Sequence, residues 1–332
     1  MSHLTKLLVA LVWLAALVSV GLAADAKSPR VFIDPADAGP DFPFQGEYVG
    51  EVKTDEGQLK FGVQVIALGD GKFEAVAYRG GLPGDGWDKS ERVSAKGERK
   101  DKAVVFAPAG QDASGVLQDG QITVKAGDQV LGTFKKVQRA SSTLGAKLPA
   151  GTVVLFDGTS PDKFIGGRMT ADGLLMQGAV SKDKFQDFTL HLEFRLPFQP
   201  YDRGQGRGNS GFYAQGRYEV QILDSFGLSG ENNECGGIYT VAKPAVNMCY
   251  PPLSWQTYDV EFTAPRFKDG KKVQNAKMTV RHNGVLIQKD VEISHTTTGA
   301  IVRTESPEPG PVYLQDHGNP VRFRNVWLVE KK

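Results

Sequence analysis

The feature that most constrains this 332-residue chain is a two-residue rhythm of apolar and polar side chains. In FTLHLEFRL, Phe188, Leu190, Leu192, Phe194 and Leu196 alternate with Thr189, His191, Glu193 and Arg195, which gives an extended segment one core face and one wet face. TYDVEFT repeats the pattern with Tyr258, Val260 and Phe262 inward, and KMTVRHNGVLIQ reads as a hairpin turned by Asn283-Gly284. After residue 24 no stretch keeps apolar residues at i, i+3, i+4 and i+7 for three turns, so a helical architecture is excluded. The 39 glycines and 18 prolines supply the turns that a chain of short strands requires.

At about 150 residues per domain the length predicts two domains. Residues 1–24 read as a secretory signal peptide, with Lys6, an apolar run from Leu7 to Val20 and a small-residue site at Gly21-Leu22-Ala23. The mature chain is expected to begin near Ala24 or Asp25, in a secreted or periplasmic location, with no membrane attachment after cleavage. A Pro- and Asp-rich leader occupies 25–45. From 46 to 139 short apolar segments are punctuated by Asp70-Gly71, Gly80-Gly81 and Asp119-Gly120, the pattern of a small antiparallel barrel or sandwich. Within it GGLPGDGWD lacks the Lys-Ser/Thr and following helix of a phosphate loop, and reads as a long hairpin loop carrying Trp87. Residues 140–152 are small, polar and Pro-ended, a linker composition, and 153–332 form the second domain, predicted as a jelly-roll sandwich that folds on its own.

Charge narrows the partner. Lys and Arg total 39 against 38 Asp and Glu, a net charge of +1 that provides no field for nucleic acid. The two cysteines, Cys235 and Cys249, lie in the exported part, so an oxidising compartment predicts a disulfide between them.

One strand differs from the rest. RYEVQILDS turns Tyr218, Val220 and Ile222 inward and puts Arg217, Glu219 and Gln221 together on the other face. Upstream, GQGRGNSGFYAQG offers Asn209 and Tyr213 as hydrogen-bonding groups for a sugar, with glycines that allow close backbone approach. LQDHGNPVRFRNVW adds His317 at a turn and Arg322 and Arg324 on a strand face. If these strands are neighbours, a carboxylate, an amide, a histidine and three arginines meet on one sheet face. Ordinary roles compete: Glu219 paired with an arginine across strands, His317 as a turn residue, Asp224 as a loop cap. His191 is expected to be solvated, and His282 and His295 fall outside the site.

The segments LFDGTS, NSGFY, RYEVQILDS, CGGIY, PPLSWQTYDVEFTAPRF and LQDHGNPVRFRNVW, in this order, resemble the 3-keto-disaccharide hydrolase domain family. The resemblance spans about residues 153–331 and implies a concanavalin A-like jelly roll with a concave sugar-binding face. The 3-keto-glycoside substrate is implied with it. Glu219, Gln221 and Asp224 also match the Glu-x-Asp-x-x-Glu spacing of laminarinase-type β-glucanases, but Gln221 carries no charge and Asp224 is one methylene short. Double displacement needs two carboxylates ~5 to 5.5 Å apart, so this strand is similar to that machinery with parts removed. A 3-keto sugar asks for less, because its C3 carbonyl acidifies the C2 proton and one base suffices for elimination at C1. The candidate catalytic residues are therefore Glu219, Gln221, Asp224 and His317. Substrate contacts are assigned to Asn209, Tyr213, Arg217, Tyr239, Arg322 and Arg324, the last two stabilising an oxyanion. One divalent metal ion, held by Glu219 and His317, would serve the same electrostatic purpose, although no tight ligand motif is present. The reading from another class is a non-catalytic, lectin-like binding module of the envelope.

Overall fold

The turn dipeptides adopt the left-handed backbone that a tight hairpin demands. Asn283 and Gly284 have φ angles of 52° and 81°, and Asp119 and Gly120 of 49° and 74°. The computed structural model describes residues 31–107 and 113–331, so the expected signal peptide and its cleavage site lie outside the described residues. Among those described, the only helical elements are three 3₁₀ turns, and no helix is long and apolar enough to cross a membrane.

The first eight strands are β1 (Gly46–Thr54), β2 (Gly57–Ala67), β3 (Lys72–Arg79), β4 (Val93–Lys100), β5 (Ala103–Ala107), β6 (Ala113–Gln118), β7 (Gln121–Ala126) and β8 (Gln129–Val137). They pair antiparallel in chain order, and β8 returns to β1 with Phe134 opposite Gly50, which closes the barrel and leaves no open edge. Backbones approach closely there: a Cβ on Gly50 would lie 2.0 Å from the carbonyl oxygen of Thr133.

The second unit comprises β9 (Thr152–Phe156), β10 (Phe164–Ile165), β11 (Leu175–Met176), β12 (Ala179–Phe185), β13 (Phe188–Arg195), β14 (Ser210–Ala214) and β15 (Tyr218–Ile222). It continues with β16 (Trp255–Thr263), β17 (Arg266–Lys268), β18 (Lys271–Gln274), β19 (Ala276–His282), β20 (Val285–Ile293), β21 (Gly310–Leu314) and β22 (Arg322–Glu330). One sheet runs β10-β12-β21-β14-β15; the other runs β11-β22-β13-β16-β19-β20, with β9 beside β22, and β17-β18 form a separate hairpin. The inward residues of both sheets, including Phe188, Phe194, Phe212, Tyr218, Phe262 and Phe323, interdigitate in one buried core. The expected all-β sandwich is present.

The two units are packed together: Ile66, Val76 and Tyr78 on the outer wall of the barrel belong to the same core cluster as Phe226 and Ile222 of the sandwich. Arg139 reinforces the contact by pairing with buried Glu47 at 2.5 Å while its guanidinium lies 4.9 Å from the Tyr250 ring centroid. The segment read as linker is docked on β16 and β13: Thr143 Oγ1 bonds Asp259 at 2.7 Å, and the Gly145 N–H donates to Glu193 at 2.6 Å.

His191 is not solvated but buried beneath that segment, 2.6 Å from Asp259 and stacked on Trp327. Burial acts against its charge, yet the hydrogen bonds and charges of Asp259 and Glu193 prevail and raise its pKa. Burial likewise opposes ionisation of Glu193, but bonds from His191, Asn325, Arg324 and the Gly145 N–H hold its carboxyl at about 2.

No disulfide joins Cys235 and Cys249, which are free, buried thiols. The two thiols interact with each other, and each has a further polar neighbour: Cys235 lies 3.2 Å from the Tyr258 hydroxyl, and Cys249 donates to the Leu223 carbonyl at 3.5 Å.

Candidate active site

The polar face of the five-stranded sheet is assembled by register. Tyr213 on β14 is directly opposite Glu219 on β15, Gly211 is opposite Gln221, and Tyr213 also pairs with Tyr313 on β21. Alternation buries Phe212, Val220 and Ile222 in the core, which obliges Tyr213, Glu219 and Gln221 to face outward together. Past the free side of β15 runs residues 236–239, hydrogen-bonded to Gln221 and Glu219 through backbone groups, and this brings Tyr239 alongside Glu219.

The resulting cavity, about 90 Å³, is lined by Asn209, Glu219, Gln221, Tyr239, Gln315 and His317, with Gln205, Thr298 and Gly299 completing the wall. Five of the candidates read from sequence therefore converge: Asn209, Glu219, Gln221, Tyr239 and His317. Tyr213 lies directly behind them, donating to the Thr298 carbonyl at 3.0 Å and accepting from Gln315 Nε2 at 3.1 Å. Two glycines make room. A Cβ on Gly211 would come within 2.4 Å of Glu219 Oε1, and one on Gly299, whose φ is +84°, within 2.5 Å of the Tyr213 hydroxyl.

Glu219 is 3% exposed and, among the described residues, has no cationic partner. Burial pushes its carboxyl up to about 8, against the opposing pull of the Tyr213 hydroxyl. Around it three buried amide oxygens have no donor: Asn209 Oδ1, Gln221 Oε1 and Gln315 Oε1. Their NH₂ groups are committed elsewhere. Asn209 Nδ2 donates to the Gln205 carbonyl at 2.7 Å, and Gln221 Nε2 to Gln205 Oε1 at 3.0 Å. A cavity with a high-pKa carboxyl and three orphaned acceptors is suited to a ligand rich in O–H donors.

Four candidates are not in the cavity. Arg322 and Arg324 lie on β22, in the seven-stranded sheet, because Phe323 between them faces the core and turns both arginines to the outer surface of the other layer. Arg322 donates to Gln177 Oε1 at 2.9 Å; Arg324 bonds Glu193 at 2.7 Å and covers the Trp255 ring at 4.0 Å. Arg217 shares the face of Glu219 but is spent on the 304–308 loop, donating to the Thr304 and Glu308 carbonyls and to Ser306 Oγ. Asp224 is buried in an ion pair with Arg207 at 2.5 Å, and Arg207 reaches the Ala67 carbonyl of the barrel at 3.3 Å. The spacing placed Asp224 as an acid/base; the chain leaves β15 after Ile222, so its side chain serves the domain contact.

Gln205 and Gln315 escaped the sequence reading. Gln315 was detectable, since it continues the outward alternation of Tyr313 on β21. Gln205 sits in a glycine-rich loop with no periodic signal. Among the described residues no group of three or more His, Cys, Asp and Glu side chains converges on a common point.

Residues 151–329 match the family described as the 3-keto-alpha-glucoside-1,2-lyase-like domain. Of solved structures, a candidate glycosyl hydrolase from Parabacteroides distasonis is 34% identical, with a TM-score of 0.51 over 55% of this chain and 85% of that one. Two further candidate glycosyl hydrolases from the same organism, at 18% and 20% identity, have TM-scores of 0.38 and cover 56% and 54% of this chain and 99% of theirs. No curated protein matches the sequence.

Proposed function

This chain belongs to the 3-keto-alpha-glucoside-1,2-lyase-like domain family, and from that membership we propose that it cleaves 3-keto-glycosides by elimination and hydration across C1–C2, with Glu219 as general base. The observation that carries the reading is the buried Glu219 carboxyl, near 8, in a cavity shared with three unpartnered amide acceptors, those of Asn209, Gln221 and Gln315. A pKa close to the working pH gives a base strong enough to take a carbon-bound proton yet ionised in a useful fraction of molecules.

The Glu219 carboxylate removes the C2 proton and the C–H electron pair enters the enediolate. As the C3 carbonyl re-forms, the electrons expel the C1 oxygen with its bonding pair, and His317 at the cavity mouth protonates that oxygen. Water then adds: its hydroxyl goes to C1, its proton to His317, and Glu219 returns its proton to C2, so that one glycosidic bond is hydrolysed and both residues regain their starting protonation. Asn209, Gln221 and Gln315 accept from sugar hydroxyls and fix the ring, an orienting effect of the kind that enlarges effective concentration. With Arg322 and Arg324 in the other sheet, the enediolate loses the cations expected for it.

The donor set also fits a hard divalent cation, which Glu219 and His317 would hold together with the orphaned amide oxygens. When bound, such an ion supplies electrostatic stabilisation of the enediolate oxygens. Export is part of the proposal and rests on residues 1–24; the intact mass of the secreted protein tests it by a start near Ala24 or Asp25.

The decisive assay supplies 3-keto-glucosides and the matching unoxidised glycosides, with and without chelator. Release of the leaving group from the keto-sugar alone, slowed by deuterium at C2 or accompanied by solvent exchange there, is expected. Faster cleavage of ordinary β-glucans with no C2 isotope effect rejects the route.

A further inference from the structure

The barrel is filled at one end and hollow toward the other. At the end where β1 begins and β2 finishes, Tyr48, Phe73 and Phe44 fill the interior, with Phe198 of the sandwich packed against Phe42 and Phe32 outside them. Toward the other end the inward positions become small. Ala75 and Ala77 on β3, Ala95 on β4, and Ala113 and Gly115 on β6 leave a cavity of about 270 Å³, walled by Phe61, Phe106 and Phe134. These are alternate residues of their strands, so the hollow is written in the sequence at the positions that face inward.

Selection for barrel stability alone would fill this space, since interiors pack to crystal-like density and residual apolar cavities are destabilising. The inward side chains of the wall are apolar apart from the hydroxyl of Thr54, and the described lining carries no charged side chain. An occupant must therefore be uncharged in the part that enters. An apolar cavity of ~150 Å³ accepts a six-carbon ring, so by proportion this one accommodates about ten carbons. Its position along the axis of an eight-stranded barrel, filled at the end that holds Tyr48 and Phe73, favours a chain over a disc, with any polar head directed away from that end.

We propose that the N-terminal barrel is a binding site for the alkyl chain of a neutral amphiphile, one molecule per barrel, separate from the Glu219 cavity on the sandwich. The test uses the full mature chain, titration calorimetry with 1-decanol as the ligand, and glucose as the control. Saturable one-to-one binding of decanol, and none of glucose, is expected. Ala95→Phe should weaken decanol binding at least tenfold while leaving keto-sugar turnover unchanged. Ala113→Leu, two strands away on β6, makes the same reading if Ala95→Phe does not fold. A measurement that needs no variant is methyl NMR, in which decanol should shift Ile122 and Val124 and leave Ile238 in the sandwich core unmoved. Absence of saturable binding overturns the proposal. So does binding that survives in a filled variant with a cooperative melt, or decanol shifts confined to the sandwich.

Discussion

Tyr213 and Glu219 face each other as a directly paired couple across β14 and β15, and the tyrosine hydroxyl is the group that restrains the rise of the glutamate pKa. Removing that hydroxyl in Tyr213→Phe should move the ionisation of Glu219 to higher pH. The acid limb of the rate profile for a 3-keto-glucoside is expected near pH 8 in the native enzyme and further alkaline in the variant. A limb that stays in place would separate Glu219 from the proton abstraction.

Glu219→Gln should lower turnover by ~10²- to 10⁴-fold, the usual contribution of a positioned general base. Its stability should respond in the opposite sense. The folded pKa of about 8 lies above the model-peptide value of 4.5, so the native state binds this proton more tightly than the unfolded one. That contribution is complete below 4.5 and is lost as pH rises through 8. The difference corresponds to at most a few kcal/mol. Thermal melts at pH 5 and pH 8.5 should show a smaller alkaline loss in Glu219→Gln than in the native chain.

Gly211→Ala tests the room reserved for the carboxylate. Its new Cβ meets the flexible end of Glu219 and the edge of Tyr213, so the sheet should survive while the base is displaced. A misplacement of ~1 Å costs on the order of 10²-fold in rate. Near-native melting with turnover reduced by that order is the expected result, and unchanged turnover would show that the carboxylate does not act from this position.

Asp224→Ala should damage folding more than chemistry. It strands Arg207 without its buried partner, and breaking such a pair typically costs about 3–5 kcal/mol. Denaturant unfolding should register that loss, with turnover per folded molecule retained far better than in Glu219→Gln.

A chain that begins at Lys147 should not fold cooperatively. It would lack Ile66, Val76 and Tyr78, which share the sandwich core, and the Thr143 contact that covers Asp259 and the neighbouring buried His191. Aggregation or a broad melt is expected; a sharp melt with full activity would mean that the barrel contact is dispensable.

Local periodicity carried the strands, because a period of two decides which side chains face the core whatever the partner strand is. Phe188 to Leu196, Tyr218 to Ile222 and the Asn283-Gly284 hairpin were legible on that ground alone. So was the outward set of Arg217, Glu219 and Gln221, and Asn209, Tyr213 and His317 were legible as candidates. Alternation does not say which sheet a strand joins. Arg322 and Arg324 have the same outward pattern as Glu219, and only the pairing of β22 with β13 sends them to the opposite layer. Spacing failed at Asp224 because the strand ends two residues before it, and at His191 because a wet face is wet only if nothing covers it. The segment 141–147 covers it, and no property of His191 or its neighbours encodes that docking. Chain-local chemistry thus determined the strands, the turns and the base, while long-range pairing and the contact between barrel and sandwich decided which of the polar residues meet.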